Sequence, residues 1–147
     1  MKFIADLHIH SPYSRSTSPA MTLPNLYGWA QLKGITLLGT GDFTHPAWFA
    51  EIEKKLEPAE EGLFSLKESN RKDKEIPASC RGEVRFMLSA EVSCIYSRDG
   101  KTRKVHNVIL ARDLVSAGKI NEVLSGIGNL KSDGRPILGL VEVHAIL

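Results

Sequence analysis

Apolar residues recur along this chain in two rhythms. Residues 2–10 alternate loosely, and predict a strand with Phe3, Ile4, Leu7 and Ile9 as its apolar positions. The serine- and proline-rich stretch 11–21 breaks that rhythm and reads as a loop. Leu23, Leu26, Tyr27 and Ala30 then follow helical spacing, with Thr22 as the expected N-cap, Pro24 in the first turn and Gly34 as a C-terminal cap. Residues 35–40 form a short apolar run and predict a buried strand. Asp42 to His45 make the loop at its end. A helix is expected from Pro46 to about Leu56, with Trp48, Phe49, Ile52 and Leu56 on one side.

Residues 57–83 have another character. EPAEEG and KESNRKDKE are charged and show no clear period, and the stretch reads as one long surface loop. Periodicity resumes at 86–96 (FMLSAEVSCIY), a strand, followed by a turn at Asp99-Gly100 and a strand at 104–111. Asp113 can cap a helix carrying Leu114, Ile120, Val123, Leu124 and Ile127, and residues 137–143 predict a last strand. Strands alternating with helices in this order argue for an α/β fold built on a largely parallel sheet or barrel.

Composition narrows the function classes. The 147 residues are the size of one domain, taken here as a single unit over 1–147. Apolar residues make up 42% and charged residues 24%, as in ordinary globular proteins. A net charge of +2 is no gross basic signal for nucleic acid, although a cleft can still be locally positive. Cys80 and Cys94 supply neither a disulfide framework nor a CxxC site, which fits a cytoplasmic protein with reduced thiols. The N-terminus is too short and polar for a signal peptide, and no apolar run reaches the roughly 18 residues of a membrane span, so no membrane association is expected.

Four polar clusters fall at or near the predicted strand ends, where α/β enzymes place their sites. The first is DLHIHS. Residues i and i+2 of a strand share a face, so His8 and His10 project side by side and can hold one metal ion. Asp6 lies on that face and can fix an imidazole tautomer from behind. Glu91 interrupts an apolar strand, where a carboxylate is costly unless paired or metal-bound, and it can bridge two ions. His106 interrupts KVHNVIL in the same manner. In Asp42-Phe43-Thr44-His45, either Asp42 or His45 or both can bind metal, after glycines that permit close backbone approach. Other chemistries lack their motifs: there is no GxGxxG, no GxxxxGK(S/T) and no GxSxG.

DLHIHS, GTGDFTHP, SAEVSCIY and KVHNVIL resemble, in this order, the successive motifs of the polymerase and histidinol phosphatase (PHP) family. LLGTGDFTHPAWFAEI and GNLKSDGRPILGL are similar in particular to its endonuclease Q subgroup. The resemblance runs to about Leu140. It implies part of a distorted (β/α)7 TIM-like barrel that holds two or three divalent ions (Zn, Mn, Mg or Fe) at its strand ends. It implies His8 and His10 as ligands of one ion, Glu91 as the bridging glutamate, His106 as the histidine that follows it, and Asp42 as the acidic residue of a motif usually written Thr-Asp-His. The family's late histidine and Asp-x-His pair have no counterpart here, so the chain is expected to be a C-terminally truncated form.

The function this implies is a metal-dependent phosphoesterase, a DNA endonuclease acting at deaminated bases. Its mechanism would use paired ions that polarise the phosphate and activate a water, with Glu91 and His10 at the catalytic centre. The alternatives are a non-catalytic truncated module and a small-molecule phosphatase of the histidinol-phosphate type. DNA is the expected partner, and the open strand edges of a partial barrel predict self-association.

Overall fold

The structure is a computed structural model, and it describes residues 2–138. Seven strands and three helices follow one another as β1 (Ala5–Asp6), α1 (Leu23–Lys33), β2 (Leu37–Gly39), α2 (Pro46–Lys55), β3 (Leu56–Pro58), β4 (Phe64–Leu66), β5 (Arg85–Arg98), β6 (Lys101–Ala111), α3 (Leu114–Ser125) and β7 (Ile137–Leu138). The fold is thus mixed α/β. The sheet runs β1-β2-β5-β4-β3, with β6 and β7 also pairing to β5. Among the described residues it stays open and does not close into a barrel.

β5 organises the molecule because it is long enough to serve two groups of neighbours. Its first residues pair in parallel with β2, and Phe86 pairs with Phe64 of β4. From Leu88 to Arg98 it forms a continuous antiparallel ladder with β6, and Ser93 and Cys94 pair in parallel with β7. The expectation of a largely parallel sheet is therefore corrected to a mixed one. The reason is local: Asp99 and Gly100 both take positive φ (54° and 71°), the two-residue turn that returns a strand directly upon its neighbour.

α1 ends as its sequence requires. Gly34 adopts φ 69°, its N–H donates to Gln31 O (3.1 Å) and the N–H of Ile35 donates to Ala30 O (2.9 Å). Thr22 has N-cap backbone geometry, but its side chain makes no capping hydrogen bond. Asp113 does cap α3, accepting from the N–H of Ser116 at 2.6 Å. Leu23, Leu26, Tyr27 and Ala30 of α1 pack with Leu38, Phe43, Trp48, Ile52, Phe86 and Leu88 in the main core. Val92 and Cys94 of β5 form a second cluster with Leu124, Leu130 and Leu138.

Two further expectations change. The first strand is only two residues long and lies at the sheet edge, with Phe3 64% and Ile4 58% exposed. The strand expected through His10 is therefore corrected to a short edge strand that, among the described residues, pairs only with β2, at Ala5 and Asp6. The stretch 57–83 is not a plain loop. It carries β3 and β4 as a hairpin and three short 3-10 turns, because Leu56, Phe64, Leu66 and Val84 are apolar anchors that enter the core between the charged residues. Residues 139–143 of the expected last strand lie outside the described residues.

Candidate metal centre

β1 ends at Asp6, and the chain continues past the end of β2, carrying His8 and His10 toward the middle of β5. Two glycines make this passage possible. A Cβ on Gly39 would run into Leu7 O, and one on Gly41 into Ile9 O. Gly41 also sits at φ 63°, where a side chain is strained regardless of space. Glycine at both positions lets the backbone of residues 7–10 lie directly on the end of β2.

Both imidazoles then reach one carboxylate oxygen. His8 Nε2 and His10 Nε2 each stand 3.2 Å from Glu91 Oε2. The i, i+2 spacing delivers the two rings to one target, although they lie beyond the strand itself. Glu91 is 3% exposed on β5, and His106 on β6 places Nδ1 2.6 Å from its other oxygen, Oε1. Glu91 pairs across the ladder with Val108 and Ser93 with His106, so Glu91 and His106 share a sheet face. Burial alone would raise the Glu91 carboxyl; the His8 ring and the charges of Arg135 and His106 outweigh it and hold the group below the ordinary carboxylate range.

Glu91 Oε2 is buried and has no hydrogen-bond partner among the described residues, although two ring nitrogens lie within 3.2 Å. An acceptor oxygen facing two ring nitrogens with no aligned N–H is the arrangement of donor atoms that share a cation. One ligand atom each from His8, His10 and Glu91 lies within 4.8 Å of the others. Two imidazoles and a carboxylate are the donor types of zinc, manganese and iron sites. The residues present fit a divalent metal.

Asp42 lies behind the His10 ring and carries a dense set of hydrogen bonds. It is fully buried and takes φ 47°, a left-handed conformation that aspartate tolerates better than most residues. His10 Nδ1 donates to its Oδ1 at 3.0 Å. Its Oδ2 accepts from the Ser11 N–H (2.6 Å), the Ser11 hydroxyl (2.7 Å) and the Ser14 hydroxyl (2.9 Å). Burial would raise this carboxyl, and the hydrogen bonds from His10, Ser11 and Ser14 together pull it below its ordinary value. The hydrogen bond to Asp42, opposed by burial, raises His10 above 6.5.

His45 and Asp6 are placed apart from the three converging residues. His45 precedes α2, stacks on Tyr13 with ring centroids 4.4 Å apart, and keeps Nδ1 buried without a hydrogen-bond partner. Burial lowers its pKa, against the charge of Asp42 and a hydrogen bond to the Lys131 backbone. Asp6 accepts from the backbone N–H of His8 at 3.4 Å, with no hydrogen bond to either imidazole. Ser11, Ser14 and Arg135 were not singled out from sequence. Ser11 and Ser14 sit in a stretch whose composition signals only a loop, and Arg135 reaches Glu91 from 44 positions away, at 3.6 Å.

No protein-family model matches the chain. An uncharacterised protein of Methanocaldococcus jannaschii is 47% identical over 49 residues, which are 33% of this chain and 6% of that protein. The lesion-specific endonuclease EndoQ from Pyrococcus furiosus has a similar crystal structure, with a TM-score of 0.71 and 31% identity over 92% of this chain and 29% of that one. A crystal structure of endonuclease Q in complex with a 27-mer duplex substrate, with an abasic lesion at the active site, matches with a TM-score of 0.75 and 32% identity. That match covers 97% of this chain and 31% of the other, so the chain spans about a third of the solved relatives' length. Among the described residues, no helix is long and apolar enough to cross a membrane.

Proposed function

We propose that this chain is the N-terminal part of a metal-dependent phosphoesterase, a DNA endonuclease of the endonuclease Q type that acts at deaminated bases. The observation that carries the reading is the convergence of His8 and His10 on the buried Glu91 oxygen, in a chain whose structure resembles a lesion-specific endonuclease over nearly its whole length. The open sheet is then the first portion of a distorted (β/α)7 barrel of PHP type.

His8, His10 and Glu91 hold the divalent ions of this reading, with His106 completing the set from β6. When bound, the ions supply positive charge to the phosphate and lower the pKa of water. The chain's own residues prepare that chemistry. A carboxylate only accepts hydrogen bonds, so Asp42 fixes the hydrogen of a neutral His10 on Nδ1 and leaves the Nε2 lone pair directed at the Glu91 side. Glu91 supplies a buried negative charge that a cation can neutralise. Two or three ions, from zinc, manganese, magnesium and iron, belong to this proposal, as do direct metal ligation by Asp42 or His45 and a supporting role for Asp6.

The rival reading is a non-catalytic module that contributes one portion of a metal site. It draws on the single three-residue donor group among the described residues. Elemental analysis of the purified chain, followed by nicking assays on duplexes with deoxyinosine or deoxyuridine, separates the two. Two tightly held ions per chain and a metal-dependent nick support the endonuclease. Metal below one equivalent and no nick support the module. β6 pairs only with β5 among the described residues, and its open edge is the proposed route to self-association, which light scattering tests.

A further inference from the structure

The loop over residues 129–136 carries a cation that the metal reading does not use. The backbone of this loop is tied down at several points. The N–H of Gly134 donates to Tyr13 O (3.1 Å), and the Thr44 hydroxyl donates to Gly134 O (3.4 Å). Asp133 Oδ1 accepts from the backbone N–H groups of Arg135 (3.2 Å) and Arg15 (3.3 Å), and Pro136 O accepts from the N–H of Ser93 (3.0 Å). Gly134 lies so close over Asp42 and Ser14 that a Cβ would run into both side chains. Arg135 therefore leaves a fixed backbone position beside the site.

Its side chain is much less engaged. Arg135 Nη1 stands 3.6 Å from Glu91 Oε2, beyond hydrogen-bond distance, and the side chain is 39% exposed. Among the described residues the guanidinium makes no hydrogen bond, although it has five N–H donors. A preplaced guanidinium with open donors, next to a carboxylate and two imidazoles, has the chemistry to receive an oxyanion.

We infer that Arg135 anchors a phosphate group of the substrate at the centre formed by His8, His10 and Glu91. This rests on the metal reading proposed above. Once Glu91 neutralises a cation it no longer holds the guanidinium, and the planar fork matches two phosphate oxygens. Arg135 is a substrate-anchoring residue in this inference, not a counter-ion that merely stabilises Glu91.

The test compares the wild-type chain with Arg135→Ala and Arg135→Lys. Each protein is titrated with manganese alone, and the loaded protein is then titrated with inorganic phosphate and with a short abasic-site duplex. Arg135→Ala is expected to keep or strengthen manganese binding, because a competing cation is gone. Its phosphate and duplex affinities are expected to fall by roughly tenfold or more, with Arg135→Lys between, since lysine keeps the charge and loses the fork. Undiminished phosphate affinity in a variant that still holds manganese overturns the inference and leaves the metal reading intact. An effect on inorganic phosphate without one on the duplex overturns the substrate role. Loss of manganese from Arg135→Ala makes the residue a structural counter-ion, which also overturns it. A wild-type chain that holds no manganese overturns the metal reading, and this inference with it.

Discussion

Asp42 Oδ1 accepts from His10 Nδ1 at 3.0 Å, and this one hydrogen bond decides which side of the His10 ring is available for chemistry. The opposite nitrogen, Nε2, faces Glu91 at 3.2 Å. Asp42, expected as a metal ligand, holds the His10 ring by this bond, and its other oxygen accepts from Ser11 and Ser14.

Asp42→Asn tests that arrangement. The amide cannot accept from all four donors as well as a carboxylate does, and it can present its own N–H₂ to them. We expect a loss of about 2 kcal/mol of stability in chemical denaturation, from buried donors left unpaired. Metal affinity is expected to fall by about 10- to 100-fold, the usual cost of losing a partner behind a ligating histidine. Unchanged metal affinity would show that His10 needs no such support.

Glu91→Gln removes the buried charge while keeping the side-chain shape. The fold favours the ionised form and holds it below the ordinary carboxylate range, so the melting temperature of the metal-free protein should fall. Metal uptake should fall to background. His8→Ala removes a half-exposed ring and should weaken uptake without a comparable loss of stability. Retained stoichiometric metal in both variants would place the ion elsewhere.

The pH dependence of the metal-free protein follows from the same pair. Asp42 lies below its ordinary 3.8 in the fold, so its stabilisation is present above that value and is lost as pH falls through the lowered one. His10 lies above its ordinary 6.5, so its contribution is complete below 6.5 and is lost as pH rises through the raised value. Stability from this pair should therefore be greatest between 3.8 and 6.5. Urea unfolding across pH in the presence of a chelator checks this, and Asp42→Asn should flatten both limbs.

Gly41→Ala and Gly62→Ala form a matched comparison. Both glycines have positive φ, at 63° and 76°, but a Cβ on Gly62 meets open space while one on Gly41 meets Ile9 O. Gly62→Ala should cost only the left-handed strain, about 1 kcal/mol. Gly41→Ala should cost clearly more and should also weaken metal uptake, because the backbone before His10 has to move away from β2. Equal costs would mean that the close approach at Gly41 is relaxed without consequence.

Much of the site was legible along the chain because its signals are local. The HxH spacing, a glutamate inside an apolar strand and glycines before Asp42 each mark a departure from simple patterning within a few residues. The helices were legible for the same reason: α1 and α2 have clear apolar spacing, and α1 has a glycine stop signal at Gly34. The weaker readings came where a segment's fate depends on distant partners. Phe3 and Ile4 are strand-like in sequence, yet they stay exposed because β1 is at the sheet edge. Leu56, Phe64 and Leu66 look isolated among charges, yet they are buried because β4 pairs with β5.

The sequence by itself determined the donor types, the pairing of His8 with His10 and the need of Glu91 for positive partners. Those follow from side-chain chemistry and the two-residue repeat of an extended backbone. Only the tertiary structure decided that Asp42 orients His10, that His45 turns toward Tyr13, and that Arg135 arrives beside Glu91. These outcomes depend on where loops 11–17 and 129–136 meet, and that meeting is set by the packing of elements far apart in the chain, which no local pattern encodes.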